Sequence, residues 1–369
     1  MALIINRWGM DPNDFAEEFL RNHRLPAYGA YLFQRSAASW LNVSDDEAQI
    51  RKGYEAGSLE EFGLREIVAQ WPTVNVVGLA IGDGLGELEI VRKLLNEEHT
   101  VHYLAIDLSP SLLVAHLQKI REELASELRA GRLLCAGVIG DVFTDIQEAV
   151  NLSRAEFESR GAIEGEQSFL PRETPLIATF LGNCLGNDLP GREGLIFAAV
   201  AAAFSNNRPL AIIVGVSVMR DELDQYSSSW SDFLLETPVY LLRELKVLSS
   251  SKPKLNNEAD EFFIPDDDLR SVRCPPVPPE TYSFHGIEGQ VYRFLYRLSF
   301  DIEAPLSGVS LAAGSQFLLY SITKYDPASL ARFLENQGYT ALYKPEYHQR
   351  VETELGLREY VVLAALIPA

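Results

Sequence analysis

The stretch VVGLAIGDGLGELEI, Val76 to Ile90, decides how the rest of the chain is read. It opens with apolar residues, places Gly82, Gly84 and Gly86 at alternate positions, and continues into an amphipathic run. An apolar strand that passes through a glycine loop into a helix begins a βαβ unit, and three glycines exceed what a tight turn requires.

From about Trp71 outward, short apolar runs alternate with longer amphipathic ones. Val74 to Ala80 predicts a first strand, Glu87 to Glu97 a helix and Val101 to Ile106 a second strand. Ser109, followed by Pro110, predicts the cap of a helix running to about Ala130. Leu133 to Ile139, Pro175 to Leu181 and Leu210 to Val218 complete five strands, with a helix over Arg192 to Phe204. Near-continuous apolar strands of this kind belong to a parallel sheet covered on both faces.

After Val218 the rhythm breaks. Asp221 to Leu248 reads as helical, Gln290 to Ile302 and Gly314 to Thr323 alternate as antiparallel strands, and a helix over Pro327 to Gln337 precedes strands at Thr340 to Pro345 and Tyr360 to Ile367. The expected architecture is an α/β protein, a Rossmann-like doubly wound sheet built from residues 66–218 and 324–369. A second α+β domain, made of 1–65 and the insertion 219–323 after strand five, would cover the strand ends where ligands bind.

The 369 residues carry a formal charge of −20. That charge repels phosphate backbones and anionic lipid, so the expected partner is a small molecule and not nucleic acid or membrane. Cys135, Cys184 and Cys274 are isolated and the six histidines show no ligand spacing, so neither a disulfide framework nor a metal site is expected. With too short an apolar run at the start for a signal peptide, the chain reads as cytoplasmic.

Two cofactors suit a strand, glycine loop and helix. A dinucleotide wants its third glycine where Glu87 stands, and a carboxylate there would face pyrophosphate at a helix N-terminus. S-adenosylmethionine has no phosphate, and its sulfonium and ammonium groups suit Asp83 and Glu87. Asp107, with Leu108 after it, ends the second strand where a carboxylate accepts from ribose hydroxyls, a position a dehydrogenase uses too. Asp141 ends the third strand, placed for an adenine amino group with Val142 on the ring. These strand ends favour S-adenosylmethionine, with a nicotinamide-dependent oxidoreductase as the alternative. The fourth strand runs into FLGNCLGNDLPGRE, Phe180 to Glu193, where Asn183 and Asn187 offer neutral amides suited to the ends of an amino acid, and no residue stands out as a base.

Together these segments resemble the histidine-specific, S-adenosylmethionine-dependent methyltransferases, whose seven-stranded sheet is of the class I methyltransferase type. GDGLGE, AIDLSPSLL, GDVF and above all FLGNCLGND carry the resemblance, and VMRDELDQYSSSW and ITKYDPASLARFLENQGY extend it over most of 70–240 and 315–369. It implies methyl transfer to a small molecule, an amino acid or related amine. It further implies that Gly82, Gly84 and Gly86 surround the methionine part of the cofactor, Asp107 the ribose, and Asp141 and Val142 the adenine. Asn187 would meet the acceptor's amino-acid end and Tyr226 its carboxylate, and RLPAYGAY implies a further substrate tyrosine, Tyr28. The chain departs at two places. Leu88 stands where the family has a lysine for the cofactor carboxylate, and no acid stands near Tyr320 or Ser321, where the family has an imidazole-recognising glutamate. A relative that binds the cofactor without transferring the methyl is a second alternative.

Overall fold

In the computed structural model, the apolar runs become strands β1 (Ala2–Asn6), β2 (Thr73–Leu79), β3 (Thr100–Asp107), β4 (Leu133–Ile139), β5 (Leu176–Phe180) and β6 (Leu210–Ser217). The structure describes residues 2–6, 52–159, 168–182, 184–187, 191–207, 209–218, 248–249, 276–297, 301–304, 309–353 and 356–367, with 19, 21–22, 37–38 and 41. Short strands β7 (Leu248–Ser249), β10 (Ile302–Ala304) and β11 (Val309–Leu311) form one small antiparallel sheet, and the longer β8 (Pro276–Phe284), β9 (Ile287–Arg297) and β12 (Gln316–Tyr325) form another. β13 (Thr340–Leu342), β14 (His348–Thr353) and β15 (Gly356–Ile367) close the chain.

The main sheet runs β1-β4-β3-β2-β5-β6-β15-β13, with β14 also on β15. Neighbours from β1 to β6 are parallel, and β15 is antiparallel to β6, β13 and β14. Strand order reverses between β2 and β5, so a crevice opens at their carboxyl ends.

Helices cover both faces because the strands are apolar on both. On one side α5 (Ile146–Ser159), α6 (Glu193–Ala203) and α7 (Pro327–Asn336) contribute Val150, Phe197 and Leu334 to a core with Val77 and Leu104. On the other, α2 (Leu85–Asn96) and α3 (Pro110–Glu123) bring Val91 and Leu117 against Val76 and Tyr103. Ala56 and Leu59, in helical residues 52–61, and Leu64 of the short α1 (Leu64–Val68) join this second core.

Several elements differ from the sequence reading. The helix expected from Ser109 to about Ala130 breaks at Leu124 (φ −116°, ψ 27°), where α3 gives way to α4 (Ala125–Arg129). β1 pairs in parallel with β4 as an extra edge strand absent from the sequence reading, because the four apolar residues Ala2, Leu3, Ile4 and Ile5 carry too short a pattern to be recognised alone. α5 and β14 also went unread, and most of the helix expected over 221–248 lies outside the described residues. The alternation expected around β9 holds, with Tyr292 and Phe294 buried and Arg297 exposed. No described helix is long and apolar enough to cross a membrane.

Candidate functional site

The glycine loop is built from consecutive left-handed turns. Ala80 (φ 51°), Gly82 (φ 56°) and Gly84 (φ 62°) turn the chain from β2 into α2, and Gly84 donates its N–H to the Ile81 carbonyl at 2.8 Å. Asp83 folds back to accept from the Leu85 N–H at 3.1 Å, an Asx turn just ahead of the helix. Beneath the loop lies His116, paired through Nε2 with the Tyr103 hydroxyl at 2.8 Å. Burial lowers the His116 pKa to about 3, so the ring is neutral. A Cβ on Gly84 would fall 1.9 Å from its Nδ1, so only glycine fits there.

Neighbouring strand ends are joined to this loop by hydrogen bonds. Asp107 at the end of β3 accepts from the Gly82 N–H at 3.1 Å and the Ser109 N–H at 2.7 Å. Burial pushes its carboxyl up to about 6, against the opposite pull of those two N–H groups. Gly140, after β4, donates to the Asp107 carbonyl at 3.1 Å. Next to it, Asp141 accepts from the Phe143 N–H at 2.8 Å. On the β5 side the Cys184 thiol donates to the Ala80 carbonyl at 3.0 Å. The exits of β2, β3, β4 and β5 therefore form one continuous edge.

The structure brings Gly82, Asp83, Gly84, Asp107, Leu108 and Asp141 together on that edge, with Leu108 half-buried beside Asp107. It places Glu87 below the loop, fully buried, with its Oε1 accepting from the Thr179 hydroxyl at 3.3 Å. Burial first, then the charges of Glu55 and Asp83, raise the Glu87 carboxyl well above the usual range. Val142 points into the core shared with Ile146 and Phe180. Asn187 ends the short 3₁₀ turn Cys184–Asn187, though its side chain, like the whole of Asn183, Tyr226 and Tyr28, lies outside the described residues.

Two acids that sequence reasoning passed over also reach this edge. Glu193, in PGRE at the start of α6, takes the Tyr282 hydroxyl of β8 at 2.7 Å and has the Tyr325 hydroxyl of β12 at 3.1 Å. Tyr325 also lies 3.2 Å from the Leu185 carbonyl, and Gly191 N–H donates to the second Glu193 oxygen at 2.9 Å. This cluster clamps the antiparallel sheet onto the exit of β5. Glu55, from helical residues 52–61, accepts from the Gly182 N–H and the Tyr360 hydroxyl. Neither acid stands out in the sequence, since Glu55 lies among the charged residues of RKGYEAGSLEE and Glu193 directly follows Arg192.

Residues 56–225 match the profile of the family described as histidine-specific methyltransferase, SAM-dependent. That stretch, just under half of the chain, is similar to this family. The sheet is that of a class I methyltransferase, seven strands in the order β4-β3-β2-β5-β6-β15-β13 with β15 antiparallel, to which β1 and β14 are added. The methyltransferase uses S-adenosylmethionine, not the nicotinamide alternative. No curated protein matches it. Similar solved structures include the glycopeptide N-methyltransferase MtfA complexed with S-adenosylhomocysteine, at 13% identity and TM-score 0.37, covering 85% of this chain and 87% of that one. Another is a possible exported protein from Bordetella parapertussis, at 12% identity and TM-score 0.37, covering 86% and 67%. A third is the CurJ carbon methyltransferase, at 11% and TM-score 0.34, covering 83% and 51%.

The residues present fit a cationic cofactor. Asp107 is held at a strand end by backbone donors and Glu55 brings a carboxylate to the exit of β5, while Glu87, its carboxyl raised by burial, holds its proton more tightly. Leu88, where the family has a lysine, is packed into the core. Among the described residues no group of three His, Cys, Asp or Glu side chains could hold a metal ion.

Proposed function

We propose that this methyltransferase acts on a small amino acid or related amine, held between the exit of β5 and the antiparallel sheet. The observation that carries this reading is the Tyr325 and Tyr282 clamp on Glu193 and Leu185, which sets that sheet against the donor edge. In this reading residues 66–218 and 324–369 form the donor half and 219–323 the acceptor half, while β1 and helical residues 52–61, from the segment 1–65 expected in the acceptor half, pack with the donor half instead.

In this reading Gly82, Asp83, Gly84, Gly86 and Glu87 shape the methionine end of the cofactor site. Asp107 and Leu108 take the ribose and Asp141 the adenine, with Val142 turned into the core behind it. Bound S-adenosylmethionine supplies a methyl group on a good leaving group. The protein's contribution is orientation and exclusion of water. Asn183, Asn187, Tyr226 and Tyr28 orient the acceptor, whose amine enters deprotonated, so that no base is required.

Tyr320 and Ser321, around the position of the family's imidazole-recognising acid, are both buried, and Tyr320 packs against Phe294. That favours a wider acceptor class than histidine alone. The charge of −20 and three cysteines set far apart in the sequence support a small-molecule enzyme of a reducing, cytoplasmic compartment, with neither nucleic acid nor membrane as partner.

The test incubates the full chain and S-adenosylmethionine with histidine, the other amino acids and small amines, reading S-adenosylhomocysteine release and product mass. One acceptor class should gain methyl groups. Silence across the panel with cofactor binding intact overturns the acceptor class.

A further inference from the structure

The crevice at the switch in strand order has a wall that comes from outside the sheet. From helical residues 52–61, Glu55 reaches between Gly86, in the first turn of α2, and Gly182, just after β5. Its Oε1 accepts from the Gly182 N–H at 3.3 Å and the Tyr360 hydroxyl at 2.8 Å. Tyr360 in turn accepts from the same Gly182 N–H at 2.8 Å. The other oxygen lies so near α2 that a Cβ on Gly86 would fall 2.2 Å from it. Glycine at 86 is therefore what lets the carboxylate come up to the helix start. Glu55 is only 4% exposed, enclosed between the start of α2, Gly182 and Tyr360.

These contacts place an oriented carboxylate where the glycine loop meets the exit of β5. Two donors on one oxygen fix its direction, and burial strengthens its field. The raised Glu87 carboxyl accords with that placement, since the charge of Glu55 is its second cause after burial. Asp107 and Asp141 lie on the far side of the glycine loop, at the exits of β3 and β4, and suit the nucleoside end of the donor. The remaining end, facing Glu55, is the amino-acid portion, whose cation is an ammonium group.

We infer that Glu55 is a cofactor-binding residue that receives the α-ammonium group of S-adenosylmethionine, with Tyr360 positioning its carboxylate. The inference rests on the reading of this crevice as the donor site.

Calorimetric titration of the full chain with S-adenosylhomocysteine and with 5′-methylthioadenosine tests it. The second ligand keeps adenine, ribose and thioether but lacks the amino-acid end. Glu55→Gln should weaken S-adenosylhomocysteine by roughly 10- to 100-fold, as expected for one hydrogen bond to a charged group, and leave 5′-methylthioadenosine unchanged. Tyr360→Phe should give a smaller loss with the same selectivity, and it carries the test if Glu55→Gln fails to fold in a ligand-free melt. Equal losses for both ligands, or no loss, overturn the inference while leaving the donor site standing. Tighter binding of S-adenosylhomocysteine also overturns it, marking Glu55 as a plug in the cofactor's place. Failure of the wild type to bind S-adenosylhomocysteine overturns the donor site and the inference together.

Discussion

Replacing Gly84 with alanine tests whether the donor loop owes its shape to the histidine beneath it. The substitution has two costs. The backbone at φ 62° is left-handed, which for an L-residue costs about 1 to 2 kcal/mol. The new Cβ would also lie 1.9 Å from His116 Nδ1. The ring cannot swing aside freely, because it is buried and tied to Tyr103 at 2.8 Å. Overpacking of this kind adds about 1 to 3 kcal/mol. The sum, about 2 to 5 kcal/mol, is a large part of a domain's usual 5 to 15 kcal/mol. Urea unfolding followed by circular dichroism measures it, and a double-mutant cycle with His116→Ala divides it. Without the ring, Gly84→Ala should cost only its backbone share, leaving a coupling of about 1 to 3 kcal/mol. An equal cost in both backgrounds would show that His116 does not shape the loop.

Asp107→Asn has a pH signature. The Asp107 carboxyl rises from an ordinary 3.8 to about 6 in the folded chain. Between those values the folded chain holds a proton the unfolded chain has released, so this group's contribution to stability falls as pH rises through the window and is level above it. In the ligand-free protein, the variant should therefore gain on the wild type by about 2 to 3 kcal/mol between pH 4 and 7, and a pH-independent difference refutes the shift. Tyr325→Phe removes the hydroxyl near Glu193 and Leu185 and should destabilise the chain by about 1 to 3 kcal/mol in urea, with a negligible change refuting the clamp. Asp326→Ala removes the cap that accepts from Ala328 and Ser329 at the start of α7, at a cost of about 1 kcal/mol in the same assay.

Much of the parallel sheet was legible because its signals are local. Leu133–Ile139 matches the expected strand at both ends, and Ser109 caps α3 through its side chain as its residue type predicts. Asp107 was identified at a strand end, and the structure ties it to Gly82 at 3.1 Å. The direction of Glu87 was not legible. Its place in the chain sets it beside the loop, but the phase of α2 turns the carboxylate down toward Thr179. Val142 likewise follows Asp141 in sequence and turns away from it into the core.

By itself the sequence determined the alternating strands and helices, the glycine loop and the acids at the strand ends. Hydrophobic period and backbone permissiveness act over a few residues, so they can be read from a few residues. Only the tertiary structure decided that Glu55 meets Tyr360, 305 positions away, or that Glu193 meets Tyr282 and Tyr325 across the β5 exit. A buried carboxylate must find donors, which a sequence can announce, but which donors it finds depends on how strands distant in the chain come to lie side by side.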